Sequence, residues 1–291
     1  MLNTILPDFG EHSLWVYILI VCALLAVTSI LFPKPVFTEG FQQRERYVAG
    51  HPYDEFYAEH YDIIQDTEVR CQTELQMILP YLESADNPYV LDVGCGTGCI
   101  LKMLDDASIP CTGIDKSSEM TALCPISANV VTGDALDPLA FQQGTFSHIL
   151  CLHHTIYEVE NPAKLMAVCK GWLQVGGVLV IHVVEKDRFN MVAPCGATSL
   201  VPNPQTHVDQ RIRKSKVDFI DYLYESDYTP DAEVVVETFT DGATGHIRQY
   251  EKPVRLNTDV SILAAKNGFK FLEKKPLPSD QYQWLYFYRV T

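Results

Sequence analysis

Short apolar runs alternate with amphipathic segments through the middle of the chain. The runs are "YVLDV", "CTGID", "NVVTGD", "FSHILCL" and "VLVIHVV", and helical patterns separate them, such as "GCILKMLDD", "SSEMTAL" and "NPAKLMAVCKGWL". Nearly continuous apolar strands with helices between them are typical of a parallel sheet that is covered on both faces. The pattern therefore predicts an α/β domain with five successive strands.

The segments on either side of this region have other patterns of apolar and polar residues. In "HPYDEFYAEHYDII" aromatic residues recur at helical spacing, and a second helix is predicted from about Asp66 to Glu83. Residues 186–256 lose the βα alternation and contain a predicted hairpin, "AEVVVETFTD" and "HIRQYEKPV" around "GATG". A final helix is expected from about Asn257 to Gly268, and "FKFLEKKPL" and "QYQWLYFYRV" are predicted to close the domain as two strands.

The N-terminal region contains a run of 19 residues without a charge, Leu14–Phe32. As a helix it would span roughly 28 Å, close to the thickness of a hydrocarbon core. A cleaved signal peptide needs a basic start, whereas residues 1–13 contain two acids and no Lys or Arg. We therefore predict a membrane protein with a single-pass transmembrane helix. Basic residues follow the run, which places the C-terminal domain in the cytosol or an equivalent reducing compartment.

These patterns predict the following domain organisation: residues 1–13 outside the cytosol, 14–32 in the membrane, 33–50 a linker, and 51–291 the folded domain, with residues 186–256 as an insertion.

Charge and cysteine content narrow the function. The 291 residues carry a formal net charge of −15, which disfavours an extended nucleic-acid partner. Nine cysteines occur, an odd number without paired CxxC units, so neither a disulfide framework nor a metal site is expected.

The stretch "VLDVGCGTG" places three glycines at alternate positions after the first strand. Glycines at such a turn allow a ligand to approach bare backbone. Dinucleotide sites prefer G-x-G-x-x-G, in which the third glycine comes one residue later, so the turn alone does not decide between cofactors. Acidic residues accompany the first three strands: Asp92, Asp115 and Asp134.

Four motifs in order, "LDVGCGTG", "GIDKSSEM", "TGDALD" and "WLQVGGVLVIHV", resemble the class I S-adenosylmethionine-dependent methyltransferases over about residues 50–291. The resemblance implies a Rossmann-like sheet of seven strands, in the order 3-2-1-4-5-7-6 with strand 7 antiparallel, and S-adenosyl-L-methionine as cofactor. It places the glycine turn at the methionine part of the cofactor, Asp115 at the ribose and Asp134 at the adenine, and it implies that the 186–256 insertion covers the substrate. The cofactor-binding residues that it implies are Tyr57, Asp92, Gly94, Cys95, Gly96, Gly98, Asp115, Lys116, Met120, Asp134, Ala135 and Cys151, with Tyr61 as an alternative to Tyr57.

The segment after the fourth strand, "CLHHTIYEV", would flank the sulfonium and the acceptor. A base is needed only when the acceptor carries a proton, and the predicted catalytic residues are His153, His154 and Tyr157. Glu158, His182 and Glu185 are further candidates. The segment lacks the "DPPY" or "NPPF" of amino methylation on nucleobases or glutamine, which again argues against nucleic acid.

The sequence therefore predicts a membrane-tethered methyltransferase that acts on a small or amphiphilic, lipid-like acceptor at oxygen or nitrogen, without a nucleic-acid partner. The alternative is a catalytically silent scaffold that binds S-adenosylmethionine within a membrane complex. A dinucleotide oxidoreductase is disfavoured by the glycine spacing.

Overall fold

The computed structural model describes residues 16, 20–24, 44–47, 52–125, 129–190, 204–278 and 280–291. The helices are α1 (Glu55–Gln65), α2 (Thr67–Glu83), α3 (Cys99–Asp106), α4 (Ser118–Ala122), α5 (Thr155–Glu158), α6 (Pro162–Trp172) and α7 (Val260–Lys266). The strands are β1 (Arg44–Tyr47), β2 (Val90–Val93), β3 (Cys111–Asp115), β4 (Asn129–Thr132), β5 (Phe146–Cys151), β6 (Leu173–Val184), β7 (Lys214–Asp218), β8 (Tyr222–Thr229), β9 (Val234–Asp241), β10 (Ile247–Pro253), β11 (Phe269–Leu277) and β12 (Asp280–Val290).

The larger sheet has seven strands in the order β11-β12-β6-β5-β2-β3-β4. The strands from β2 to β6 pair in parallel, whereas β12 runs antiparallel to both β6 and β11. When the strands of this sheet are numbered along the chain, their order is 3-2-1-4-5-7-6, and strand 7, which is β12, is antiparallel to its neighbours. The predicted Rossmann-like topology is confirmed.

Apolar side chains cover both faces of this sheet. Alternate residues of β2 point to opposite sides, so Leu91 packs in one cluster with residues of α6 and α7, while Val90 packs in another with residues of α2 and α3. This two-sided burial is the reason that the strands read as continuous apolar runs in the sequence.

Local side-chain hydrogen bonds set where the helices begin. Asp54 accepts from the Tyr57 N–H at the start of α1, and Asn161 accepts from the Lys164 N–H at the start of α6, where Pro162 takes the first position. Asp259 caps α7 in the same way.

A second, five-stranded sheet has the order β1-β10-β9-β8-β7. Its strands β7 to β10 are antiparallel neighbours, and β9 and β10 form the predicted hairpin. Helix α1 packs on this sheet through Tyr57 and Ile64, which share a buried cluster with Tyr224, Phe239 and Tyr250. The aromatic stripe of α1 thus joins the N-terminal part of the domain to the second sheet.

Residues 44–47 lie within the segment that was predicted to be a linker. They form β1, which pairs in parallel with β10. Their partner is about 200 residues away in the chain, and a four-residue strand with such a distant partner leaves little trace in local patterning.

Most of the predicted transmembrane segment, Leu14–Phe32, lies outside the described residues. Val16 and residues 20–24 are described, and they are helical. Across the described part of the chain, no helix combines the length and the apolar character needed to cross a membrane.

Candidate active site

A cavity of about 500 Å³ opens at the carboxyl ends of the parallel strands. Gly94 follows β2, Asp115 ends β3, Asp134 follows β4 and His153 follows β5, and all four residues line it. Open parallel sheets bind their ligands at this edge, where the strand order reverses. The cavity is in the size range of small-molecule and cofactor sites.

The glycine turn forms one wall of the cavity with bare backbone. Gly94 has a φ of +72°, and a Cβ there would lie 2.6 Å from the Oγ1 of Thr155. Gly96 has a φ of +55°, and its Cβ would point at Met120, which also lines the cavity. A side chain at either position would be strained, and at Gly96 it would enter the space that a ligand needs.

Asp115 connects the glycine turn to the start of α4. Its Oδ2 accepts from the Gly96 N–H and its Oδ1 accepts from the Ser117 N–H, both at 2.9 Å. Burial raises the pKa of Asp115, while hydrogen bonds from the N–H groups of Ser117, Gly96 and Lys116 oppose the increase. Each oxygen keeps a lone pair that can accept a ligand hydroxyl.

Asp134 stands at the rim of the cavity and is exposed. It accepts from the Leu136 N–H at 2.8 Å, and the ammonium of Lys116 lies 3.5 Å from its Oδ2. The neighbouring Ala135 also lines the cavity. The rim therefore combines a carboxylate, a lysine and an apolar wall.

Two histidines follow β5 with left-handed backbones, φ +52° for His153 and +69° for His154. The Nδ1 of His153 is hydrogen-bonded to the Tyr61 hydroxyl at 2.8 Å. Burial lowers the pKa of His153 well below its usual value, so the ring is neutral at neutral pH. Left-handed non-glycine residues are uncommon and concentrate at functional sites.

A Tyr53–Glu158 pair also lines the cavity. The Tyr53 hydroxyl donates a short hydrogen bond to the Oε2 of Glu158. Burial raises the pKa of Glu158, and the positive charge of Lys252 opposes the increase. Arg255 donates from Nη1 to the backbone carbonyls of Glu158 and Val159 at 3.1 and 3.0 Å, which fixes the end of α5.

Eight of the fifteen assigned site residues lie on the cavity wall: Gly94, Gly96, Asp115, Lys116, Met120, Asp134, Ala135 and His153. Two of the further candidates, Tyr61 and Glu158, also line it. Seven others lie outside that wall: Tyr57, Asp92, Cys95, Gly98, Cys151, His154 and Tyr157.

Specific contacts within the protein explain why several of these seven residues do not line the cavity. The Tyr157 hydroxyl accepts from the Val184 N–H at 3.1 Å within the core, and the Tyr57 hydroxyl donates to Glu237 at 2.8 Å. The Nε2 of His154 faces Gln283 Oε1 at 3.3 Å. Asp92 is buried, and its pKa is raised to about 8 by burial and by the charges of Glu74 and Asp115.

Some residues of the cavity wall were not predicted from the sequence. Tyr53 lies four residues before Tyr57 and eight before Tyr61, so the aromatic stripe of α1 contained a signal for it. Arg255 and Thr155 had no comparable signal. Arg255 comes from the end of the second sheet, and only the tertiary fold brings it to β5.

Comparison with known proteins matches residues 91–181 to a family model described as a methyltransferase domain. The matched segment runs from the glycine turn to β6 and so includes much of the cavity wall. The chain is an S-adenosylmethionine-dependent methyltransferase. Its cofactor is S-adenosylmethionine, and the glycine turn and Asp115 provide the open backbone and the acceptor oxygens that suit such a ligand.

Two curated relatives illustrate the range of similarity. A tRNA U34 carboxymethyltransferase of Aliivibrio salmonicida (strain LFI1238) is 26% identical over 239 residues, which cover 78% of this methyltransferase and 70% of the relative. The probable methyltransferase ltbC of Aspergillus luteorubrus is 29% identical over 137 residues, covering 41% and 47% of the two chains.

Solved structures share the fold at low identity. The CcbJ methyltransferase from Streptomyces caelestis superposes with a TM-score of 0.57 at 18% identity, over 82% of this chain and all of the other. The sugar N-methyltransferase KedS8 from Streptoalloteichus sp. ATCC 53650 gives a TM-score of 0.55 at 19% identity, over 88% and 96%.

The predicted partners need correction. Relatives whose names state a tRNA substrate contradict the expectation of a small-molecule or lipid-like acceptor and of no nucleic acid. That expectation relied on the net charge, which describes the average field of the molecule, whereas a substrate responds to the charges at the mouth of the site.

Proposed function

We propose that this methyltransferase transfers a methyl group from S-adenosylmethionine to an oxygen or nitrogen atom of a tRNA nucleoside. The observation that carries the proposal is the reach of the alignment with the tRNA U34 carboxymethyltransferases. It covers 78% of the chain, well beyond the 91 residues of the methyltransferase domain match. The similarity therefore extends to regions outside the cofactor-binding core.

The cofactor-binding residues are assigned from their positions on the cavity wall. The backbone of Gly94 and Gly96 would hold the methionine part, Asp115 the ribose hydroxyls, and Asp134 with Ala135 the adenine. When bound, the cofactor supplies an electrophilic methyl group on a sulfonium. The protein then contributes mainly alignment, because a well-oriented acceptor avoids much of the entropic barrier.

The acceptor would enter beside α1 and the second sheet. Tyr53 and Tyr61 line the cavity from the N-terminal side, and Pro253 and Arg255 line it from the end of β10. A base must leave its stack before an enzyme can reach it, and aromatic rings stabilise such an unstacked base. This arrangement supports the proposal that residues 186–256, which include β7 to β10, serve as the substrate cover.

The test uses the full chain with methyl-labelled S-adenosylmethionine and bulk tRNA, and in parallel a membrane-containing cell extract. Label is counted in RNA, protein, lipid and small-molecule fractions, and labelled tRNA is digested to nucleosides to locate the methyl group. We expect label in tRNA that disappears with Asp115→Ala and persists with Asp105→Asn, an exposed control on α3. Label confined to another fraction would contradict a tRNA acceptor.

We also propose that Leu14–Phe32 tethers the enzyme to a membrane. The support is the uncharged run of 19 residues and its flanking charges. The full chain should remain with membranes after extraction at alkaline pH, and a chain that lacks residues 14–32 should not. Full-length protein that is released by the extraction would contradict the tether.

A further inference from the structure

Helix α5 places a carboxylate one turn away from the glycine turn. Its first residue, Thr155, packs so closely against Gly94 that a Cβ on the glycine would clash. Glu158 follows three residues later, so it lies on the same face of the helix and about 4.5 Å further along its axis. Both side chains belong to the cavity wall. The carboxylate is thus held near the part of the site where the cofactor's methionine end is assigned.

Four acidic residues line this cavity, and three of them are poorly suited to accept a proton from the acceptor. Asp115 already accepts two backbone N–H groups. Asp134 is exposed at the rim beside Lys116, and Glu160 is exposed at the end of α5. Glu158 is partly buried. Among the described residues its hydrogen-bond donor is Tyr53 at Oε2, so Oε1 is available to a ligand.

We infer that Glu158 is a catalytic residue that removes the proton from the methyl acceptor, with Tyr53 as its positioning residue. The inference rests on the proposed function, because it requires an acceptor oxygen or nitrogen that carries a proton. In the transfer, the sulfur–methyl bond breaks and its electron pair stays on sulfur, while a bond forms from the methyl carbon to the acceptor atom. The acceptor's proton passes to Oε1 of Glu158 and is later released to water.

His153 is the competing candidate for this role, and two observations favour Glu158. The Nδ1 of His153 is engaged by Tyr61. Burial and neighbouring positive charges lower the pKa of His153, which weakens it as a base, while burial raises the pKa of Glu158. A general base is most effective when its pKa lies near the operating pH.

Tyr53 is held in place from two sides. Its backbone carbonyl accepts from the Ser117 hydroxyl at 2.8 Å, next to Asp115, and its own hydroxyl donates to Glu158. The Lys252 ammonium lies 5.3 Å from the Tyr53 ring centre and is paired with Glu237. The charged and titratable groups that act on Glu158 are, in order of effect, Lys252, Tyr53, Glu237 and Asp115. One cation and a donated hydrogen bond therefore favour the ionised carboxylate.

The experiment compares Glu158→Gln, Tyr53→Phe and the control Glu83→Gln in the full chain; Glu83 is an exposed residue at the end of α2 that does not line the cavity. Single-turnover methylation of bulk tRNA is measured from pH 5 to 9 at saturating S-adenosylmethionine, and cofactor affinity is measured by calorimetry without tRNA. We expect Glu158→Gln to lose at least about 100-fold in rate, within the range for a general base, with cofactor affinity within about threefold of wild type. Glu83→Gln should match wild type.

The pH profile and a direct titration test the positioning role. The wild-type rate should fall as the pH drops through the raised pKa of Glu158. Tyr53→Phe should shift this acidic fall in rate to higher pH, because removing the hydrogen-bond donor raises the pKa of the Glu158 carboxylate. The same pKa should be visible by carbon NMR of glutamate-labelled protein without substrate, as a signal that Glu158→Gln removes.

Several results would overturn the inference: equal rates for Glu158→Gln and Glu83→Gln, a Glu158 signal that titrates at or below the usual value, or a comparable rate loss confined to His153→Asn. If wild type labels another fraction instead of tRNA, the proposed acceptor fails, and the same variant series on that fraction decides the role of Glu158. If wild type labels no fraction, the proposed acceptor fails as well, and a normal NMR titration of Glu158 would then reject its role as a base.

Discussion

At the residue scale, Asp115 is the side chain whose removal should affect cofactor binding most directly. It is placed at the end of β3 on the cavity wall, and its oxygens also order the Gly96 and Ser117 N–H groups. We expect Asp115→Ala to weaken S-adenosylmethionine binding at least about tenfold, or about 1.4 kcal/mol, measured by calorimetry on the full chain.

Asp115→Asn separates the charge from the hydrogen bonds, because it keeps one carbonyl acceptor. Its affinity should fall between those of wild type and Asp115→Ala, and Asp105→Asn should bind like wild type. Unchanged affinity in the alanine variant, with the fold intact by circular dichroism, would remove Asp115 from the cofactor site.

The buried Asp92 leads to a prediction about how the free energy of unfolding depends on pH. Its pKa is raised from 3.8 to about 8 in the folded protein, mainly by burial and then by Glu74 and Asp115. The folded state therefore holds a proton that the unfolded state loses, and this contribution to the free energy of unfolding falls as the pH rises from about 4 to about 8. The free energy of unfolding should therefore fall more steeply with pH for wild type than for Asp92→Asn, by up to about 1.4 kcal/mol per pH unit.

Denaturant unfolding of both proteins between pH 5 and 8 measures this difference. Comparing the two curves cancels the opposing contributions of the buried histidines, whose pKa values are lowered by burial. Parallel curves would show that Asp92 is ionised in the folded protein at neutral pH.

At the scale of elements, the contact between α1 and the second sheet contains a buried ion pair. Lys252 of β10 and Glu237 of β9 lie 2.8 Å apart, with side chains only 7% and 3% exposed. Tyr57 of α1 accepts from Lys252 and donates to Glu237, and Tyr224 also donates to Glu237. Lys252→Met leaves a buried carboxylate without its cation, and we expect a loss of about 3–5 kcal/mol in unfolding free energy.

The same sheet provides a matched control in Lys216 and Glu225. Their atoms are 3.0 Å apart on β7 and β8, but the side chains are 62% and 44% exposed. Lys216→Met should therefore cost no more than about 1 kcal/mol. Similar losses in the two variants, from denaturant titrations, would mean that burial of the Lys252 pair does not matter for stability.

Elements also show how far the sequence predicts this fold. The strands of the larger sheet and their glycine turn were identifiable because each has a strong local pattern and the motifs occur in a known order. Strand β1 was not identifiable from the sequence, since its pairing with β10 joins distant parts of the chain. The same limit applies to the site: Asp115 follows from its position at a strand end, whereas Arg255 reaches the cavity only through the second sheet.

At the scale of the whole molecule, the acidic composition must be reconciled with the proposed tRNA acceptor. The chain has 22 basic and 37 acidic residues. On the second sheet, Lys214 and Lys216 are already paired with Asp227 and Glu225 on the neighbouring strand. Lys116 and Arg255 are the basic residues of the described cavity wall, and both have polar contacts within the protein. The described cavity wall and strand β7 therefore offer few cations that could neutralise phosphates.

This arrangement predicts a weak dependence of tRNA binding on salt. Each neutralised phosphate contributes about 0.7–0.9 to the slope of log K against log salt, so two or three contacts give a slope no steeper than about −3. Fluorescence anisotropy with labelled tRNA between 50 and 300 mM KCl measures it. Lys214→Gln and Lys216→Gln should leave the slope unchanged, because their charges are satisfied within the sheet. A slope steeper than about −6 would instead require an extended basic surface. With the shallow slope, recognition would depend mainly on contacts to the unstacked base in the cavity, which carry sequence information that phosphate contacts lack.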